Sequence, residues 1–112
     1  MKIDAMLPLK PAAFHILLAL ADGPSHGYAI RSAVEELTAG GVKLWPVTLY
    51  GTVRQLSDDG LIAEVPEGGV DEDARRIYYR LTDLGRRVLV AETDRLENLV
   101  AYARGTRAVA DA

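Results

Sequence analysis

The side chains with the widest chemical scope lie close together between Pro46 and Asp59. Arg54 and Gln55 are residue types that make paired hydrogen bonds to guanine and adenine edges in the major groove of duplex DNA. Thr48 and Tyr50 carry hydroxyls that can donate to phosphate oxygens, near a helix start whose backbone N–H groups already favour an anion. With Leu49, Val53 and Leu56 turned inward, the opposite arc presents Val47, Gly51, Arg54 and Asp58, flanked by Thr48, Tyr50 and Gln55. Gly51 lowers helix stability by roughly 1 kcal/mol relative to Ala, yet leaves space for close approach to a groove. On pattern alone, Arg54 and Gln55 fit a solvated face equally well.

A second cationic group follows. Arg75, Arg76 and Arg80 cluster late in the chain and could neutralise phosphates beside the groove, or form internal ion pairs with nearby acids. Glu64, Glu67, Asp71, Glu72 and Asp73 lie just upstream, with no Lys or Arg between Leu61 and Ala74, so the intervening tip is acidic. Trp45, the only tryptophan, packs the loop before the third helix or lines a pocket for a small aromatic effector. Catalysis finds little support. The histidines are His15 and His26, cysteine is absent, and no glycine-rich phosphate loop or His–carboxylate set at metal spacing occurs. No enzyme, cofactor or metal is expected.

These residues need elements to hold them. A first helix runs from Pro11 to about Ala21, with Pro11 suited to its first turn and Phe14, Leu17, Leu18 and Ala21 at helical spacing. Asp22-Gly23-Pro24 ends it. Ser25 is the expected N-cap of a second helix reaching Thr38, with Ile30, Ala33, Val34 and Leu37 as its apolar stripe. A third opens at Pro46 and closes at Gly60, where a left-handed cap is wanted. The period then changes to two. Leu61 to Val65 and Ile77 to Leu81 read as a hairpin, and Tyr79, like Tyr28, is expected to pack. Thr82 caps a long helix from Asp83 to about Arg104, followed by a frayed tail. Val88, Leu89, Leu96, Leu99, Val100 and Ala103 recur on it near heptad spacing, interrupted by Glu92 and Asn98; pairing with a second copy is the natural way to bury that stripe, folding back on the same domain the alternative.

Composition is compatible with this. At 112 residues and 49% hydrophobic, the chain can build one compact domain plus an appended element. The longest apolar stretch, Ala12 to Ala21, is half what a membrane span needs, so no membrane partner is expected. The lack of cysteine fits a reducing cytoplasm. The net charge of −3 argues mildly against nucleic-acid binding unless cations are concentrated locally.

Three blocks then make the reading specific. Leu17 through Ile30, containing Asp22-Gly23-Pro24-Ser25-His26-Gly27-Tyr28, resembles the first-helix and turn signature of the PadR family. Thr48-Leu49-Tyr50, Leu56 and Asp59-Gly60-Leu61-Ile62 resemble its recognition-helix segment, and Arg76 through Thr82 followed by Gly85 resembles its second wing strand and last helix. The blocks are collinear from about Leu9 to Leu96. The resemblance implies a mostly helical α+β winged helix-turn-helix fold, three helices plus a two-stranded wing, with a single long C-terminal helix for dimerisation. Residues 1–81 would form the DNA-binding unit and 82–112 the dimerisation helix and tail. It implies a homodimeric transcriptional regulator of double-stranded DNA, usually a repressor. A ligand-responsive regulator of the MarR type, or a winged-helix protein-interaction module, is the alternative. Gly51 and the acidic wing tip depart from the family pattern.

Overall fold

The computed structural model describes residues 2–66 and 77–112. Its elements run α1 (Lys2–Ala5), α2 (Pro11–Ala19), β1 (Ser25–His26), α3 (Gly27–Leu37), α4 (Pro46–Asp58), β2 (Ile62–Glu64), β3 (Tyr78–Leu81), α5 (Asp83–Gly105) and α6 (Arg107–Ala110). Helices α2, α3 and α4 enclose a core of Ile16, Leu17, Leu20, Ile30, Val34, Leu49, Val53 and Leu56. Leu61, Ile62 and Tyr79 close it from the sheet side, and Val88 and Leu89 from α5. Burial of the Tyr79 ring, with the Glu64 carboxylate and Tyr50 nearby, pushes its hydroxyl above the ordinary tyrosine value, so it stays neutral inside.

The sheet has three antiparallel strands in the order β1-β3-β2, where the sequence suggests a two-stranded hairpin. Ser25 pairs with Tyr79 and His26 with Tyr78, while Ile62, Ala63 and Glu64 face Leu81, Arg80 and Tyr79. Ser25 is therefore strand and not N-cap. The cap of α3 is His26, whose Nδ1 accepts from the Ala29 N–H at 3.3 Å while its ring meets Tyr78 edge-on. A two-residue strand has no period to read, so it escapes pattern analysis.

Several other expectations change. Leu37 and Tyr28 are exposed, against their expected packing, and Ile77 lies just outside β3, which begins at Tyr78. The segment after Gly105 is not wholly frayed, since Arg107–Ala110 forms one helical turn. The ends of the central elements match their signals. Gly60 adopts φ +78° after α4, a conformation that favours glycine. Thr82 caps α5 by accepting from the Gly85 N–H at 3.0 Å, and donates to the Gly60 carbonyl at 2.6 Å, tying the end of α4 to the start of the long helix.

The N-terminal arm is fixed by a contact between residues 83 positions apart. The Leu9 N–H donates to the Glu92 carboxylate at 2.9 Å, and Arg95 Nε and a terminal guanidinium nitrogen donate to the same carboxylate at 2.6 and 3.0 Å. Glu92 is 2% exposed. The Arg95 hydrogen bonds, and then the Leu9 N–H, hold its carboxyl below the usual range despite the opposing effect of burial.

Candidate nucleic-acid interface

The α4 segment is positioned by its buried side. Leu49, Val53 and Leu56 are each 3% exposed and lock the helix against α2 and α3. Pro46 occupies the first turn, and the N-cap residue Trp45 supplies no side-chain cap. The other side of the helix faces solvent. Thr48, Tyr50, Gly51, Arg54 and Gln55 are all exposed, and Val47 is 88% exposed. Every residue of α4 expected at a DNA surface is therefore on one accessible arc.

Their commitments differ. Arg54 makes no hydrogen bond or ion pair among the described residues and is free to meet an external acceptor. Gln55 donates from Nε2 to Asp59 at 3.1 Å, an exposed contact that a better partner can displace. Tyr50 leans its ring over Gly27, where an added Cβ would lie 2.7 Å from the Tyr50 hydroxyl. That glycine leaves the hydroxyl end of the ring room to lie against the start of α3. At Gly51 an added Cβ would meet nothing within 4 Å. No packing in the fold requires glycine there, so its absence of a side chain bears on the helix's own stability and on what approaches from outside.

The rest of the sequence-based site is distributed otherwise. Arg75 and Arg76 lie outside the described residues. Arg80 is exposed on β3 and donates to the Leu81 carbonyl at 3.2 Å. Trp45 is exposed beside Arg31, and it lines neither of two clefts found on the molecule. One, of about 620 Å³, lies between the N-terminal arm and α4 and touches Gly51 and Gln55; the other lies between the arm and α5. An effector pocket centred on Trp45 does not match either.

The long helix divides in two. Val88 and Leu89, expected on the subunit-facing stripe, are 0% and 8% exposed and are enclosed by the chain's own core. Glu92, expected in the same seam, is enclosed with them by the N-terminal arm. Heptad spacing marks a stripe but does not say which neighbour covers it, and the first turns of α5 are within reach of the domain. Farther along, Leu96 and Ala103 are half-buried and Leu99 and Val100 lie more than half in solvent. Residues that pattern reading missed include Arg31, which meets Trp45 across 14 positions without any local signal, and Glu92. The Glu92 pairing had one legible trace, an acid in an apolar stripe with Arg95 three residues on.

Among the described residues, no helix is long and apolar enough to cross a membrane. Residues 16–91 match the transcriptional regulator PadR-like family. The chain is 37% identical over 91 residues to the transcriptional regulator Rv3488 of Mycobacterium tuberculosis, covering 81% of this chain and 80% of that protein. It is 38% identical over 84 residues to an uncharacterised 37.1 kDa protein of a Streptomyces fradiae transposon, covering 75% of this chain but only 22% of that protein. The structure of Bacillus subtilis PadR in complex with operator DNA superposes with a TM-score of 0.63 at 25% identity, covering 75% of this chain and 47% of that one. The fold is thus the winged helix of these regulators, with the two-stranded wing extended by β1, and the family is regulatory and not enzymatic. A family match over most of its length, a regulator 37% identical along four fifths of both chains, and a fold shared with a solved operator complex make this chain a member of the PadR-like family of transcriptional regulators.

Proposed function

We propose that the chain is a sequence-specific regulator that binds an operator as a homodimer and acts as a repressor, with residues 1–81 as the reading unit and 82–112 as the pairing tail. The observation that carries the DNA-binding part is the α4 arc: Arg54 has no partner among the described residues, and Thr48, Tyr50, Gly51 and Gln55 stand exposed around it. Arg54 reads a guanine edge and Gln55, released from Asp59, an adenine edge. Thr48 and Tyr50 fix register on phosphates, aided by first-turn N–H groups that no side chain caps. Arg75 and Arg76 add phosphate contacts from the wing.

The homodimer follows from the tail. Leu96, Leu99, Val100 and Ala103 lie on the part of α5 beyond Glu92, where Leu99 and Val100 remain largely in water. A helix of 23 residues outruns the domain it starts in, and a second tail is the available apolar partner. Two-fold pairing sets two copies of α4 about 34–36 Å apart, one duplex turn, on a pseudo-palindromic site.

A nuclease footprint on the DNA adjoining the protein's own coding region tests this. The expected result is two protected half-sites about one turn apart, lost steeply as salt rises. No protection on any such fragment, or binding indifferent to salt, would favour a protein-interaction module and remove the regulatory reading.

A further inference from the structure

Trp45 is an aromatic side chain with little to do in the fold. It precedes α4, contributes no capping hydrogen bond and leaves 62% of its surface in water. Arg31, from α3, places its guanidinium carbon 5.4 Å from the centre of the indole ring. Among the described residues that cation has one ion pair, with Glu35 at 3.9 Å from Nε, beyond hydrogen-bonding distance. The pair is therefore a flat apolar ring with an N–H on its edge and an incompletely neutralised cation on its face. It sits immediately before Val47 and Thr48, continuous with the exposed arc of α4.

We propose that Trp45 and Arg31 together clamp the sugar–phosphate backbone that borders the groove entered by α4. This rests on the DNA-binding reading above and names a further contact for it. The ring covers a deoxyribose edge, the indole N–H donates to a phosphate oxygen, and Arg31 exchanges its loose contact with Glu35 for a charge-assisted bond to the same phosphate. Charge selects this occupant. An apolar partner helix would have to bury the Arg31 guanidinium, whereas a phosphate pairs with it. The aliphatic surface that suits a second copy lies elsewhere, on the distal half of α5. Because backbone contacts carry no base information, Trp45 acts on affinity and register and not on which sequence is chosen.

Trp45 is the single tryptophan, so its fluorescence reports this position alone. The full-length protein is titrated with the footprinted duplex and with a random duplex of equal length. Emission is expected to change saturably with both and to return as salt is raised. Trp45→Ala should weaken both duplexes by about tenfold, the order expected when half-exposed apolar surface loses its cover, with unchanged thermal melting. Trp45→Phe should recover most of that loss. Arg31→Gln should lower the salt slope by about 1.8 in a dimer, two phosphates at roughly 0.9 each. Tight binding by the wild type with unmoved Trp45 emission, and Trp45→Ala binding as well as wild type, overturns the clamp and leaves the regulatory reading standing. An emission shift on concentrating the protein without DNA also overturns it, by assigning the ring to a contact between copies. Failure of the wild type to bind either duplex overturns both.

Discussion

The two ends of this molecule both leave apolar surface in water, but with different chemistry. At the reading end the exposed rings are Tyr28, Trp45 and Tyr50, each with a polar tip, interleaved with Thr48, Arg54 and Gln55. On the long helix the exposed apolar side chains are mainly aliphatic, Val90, Leu99 and Val100, with Tyr102, and α6 beyond it adds Val109. Amphipathic rings tolerate a wet and charged partner, because the ring is covered while its hydroxyl or N–H keeps a hydrogen bond. Aliphatic side chains have no such handle and gain only by exclusion of water. The contrast explains how a chain of net charge −3 can belong to a DNA-binding family. On the proposed reading, the chemistry of one arc outweighs the total charge.

The largest expected effect comes from breaking the aliphatic end. Leu99→Asp combined with Val100→Asp should give a folded monomer in sedimentation and weaken operator binding by about a hundredfold or more, the usual scale of lost bivalency. Undiminished binding would mean that the tail is not the pairing surface. Next in size is the reading end. Arg54→Ala should leave the dimer intact and cost about 1–3 kcal/mol against the preferred site, with little loss on random DNA, measured by competition binding. Equal loss on both would make Arg54 a phosphate contact and blur the division between base reading and backbone clamping.

The junction between the two ends supplies a smaller effect. Glu92→Gln should remove about 1–2 kcal/mol of stability, seen as a lower Tm, because the Leu9 N–H and Arg95 lose an ionised acceptor. The pH dependence has a definite sign. The folded carboxyl is held below its unfolded value, so its stabilisation is complete above the ordinary carboxylate range, near pH 4–5, and fades as pH falls through the depressed value. The variant should lack that part of the acid transition. The smallest effect, and the sharpest on the reading arc, is Gly51→Ala. It should raise stability by about 0.5–1 kcal/mol, because the new methyl meets nothing and the helix gains a better former. If DNA approaches closely there, affinity for the operator should fall while Tm rises; a rise in both would place the groove farther from Gly51.

Much of the reading end was legible from residue order. Leu49, Val53 and Leu56 recur at helical spacing and are all buried, so the exposure of Arg54 and Gln55 followed from a local rule. Gly60 and Thr82 are likewise punctuation that acts within a few residues, and both sit where their chemistry requires. The long helix behaved differently. Val88, Leu89, Leu99 and Val100 belong to one apolar repeat, yet the first two are sealed in the core and the last two are largely exposed. Nothing in the repeat distinguishes them, since the difference lies in where the sheet and the N-terminal arm end along the helix.

By itself, then, the amino-acid order determined the four main helices, the caps at Gly60 and Thr82, the inward face of α4 and the residue types that α4 presents to solvent, because those depend on interactions across a few positions. Only the tertiary structure decided that β1 joins the sheet, that Glu92 receives Leu9 from 83 residues away, and that Arg31 rests on Trp45. Each of these is a meeting of distant segments. Its free energy depends on how whole elements are oriented, and no spacing along the chain records that orientation.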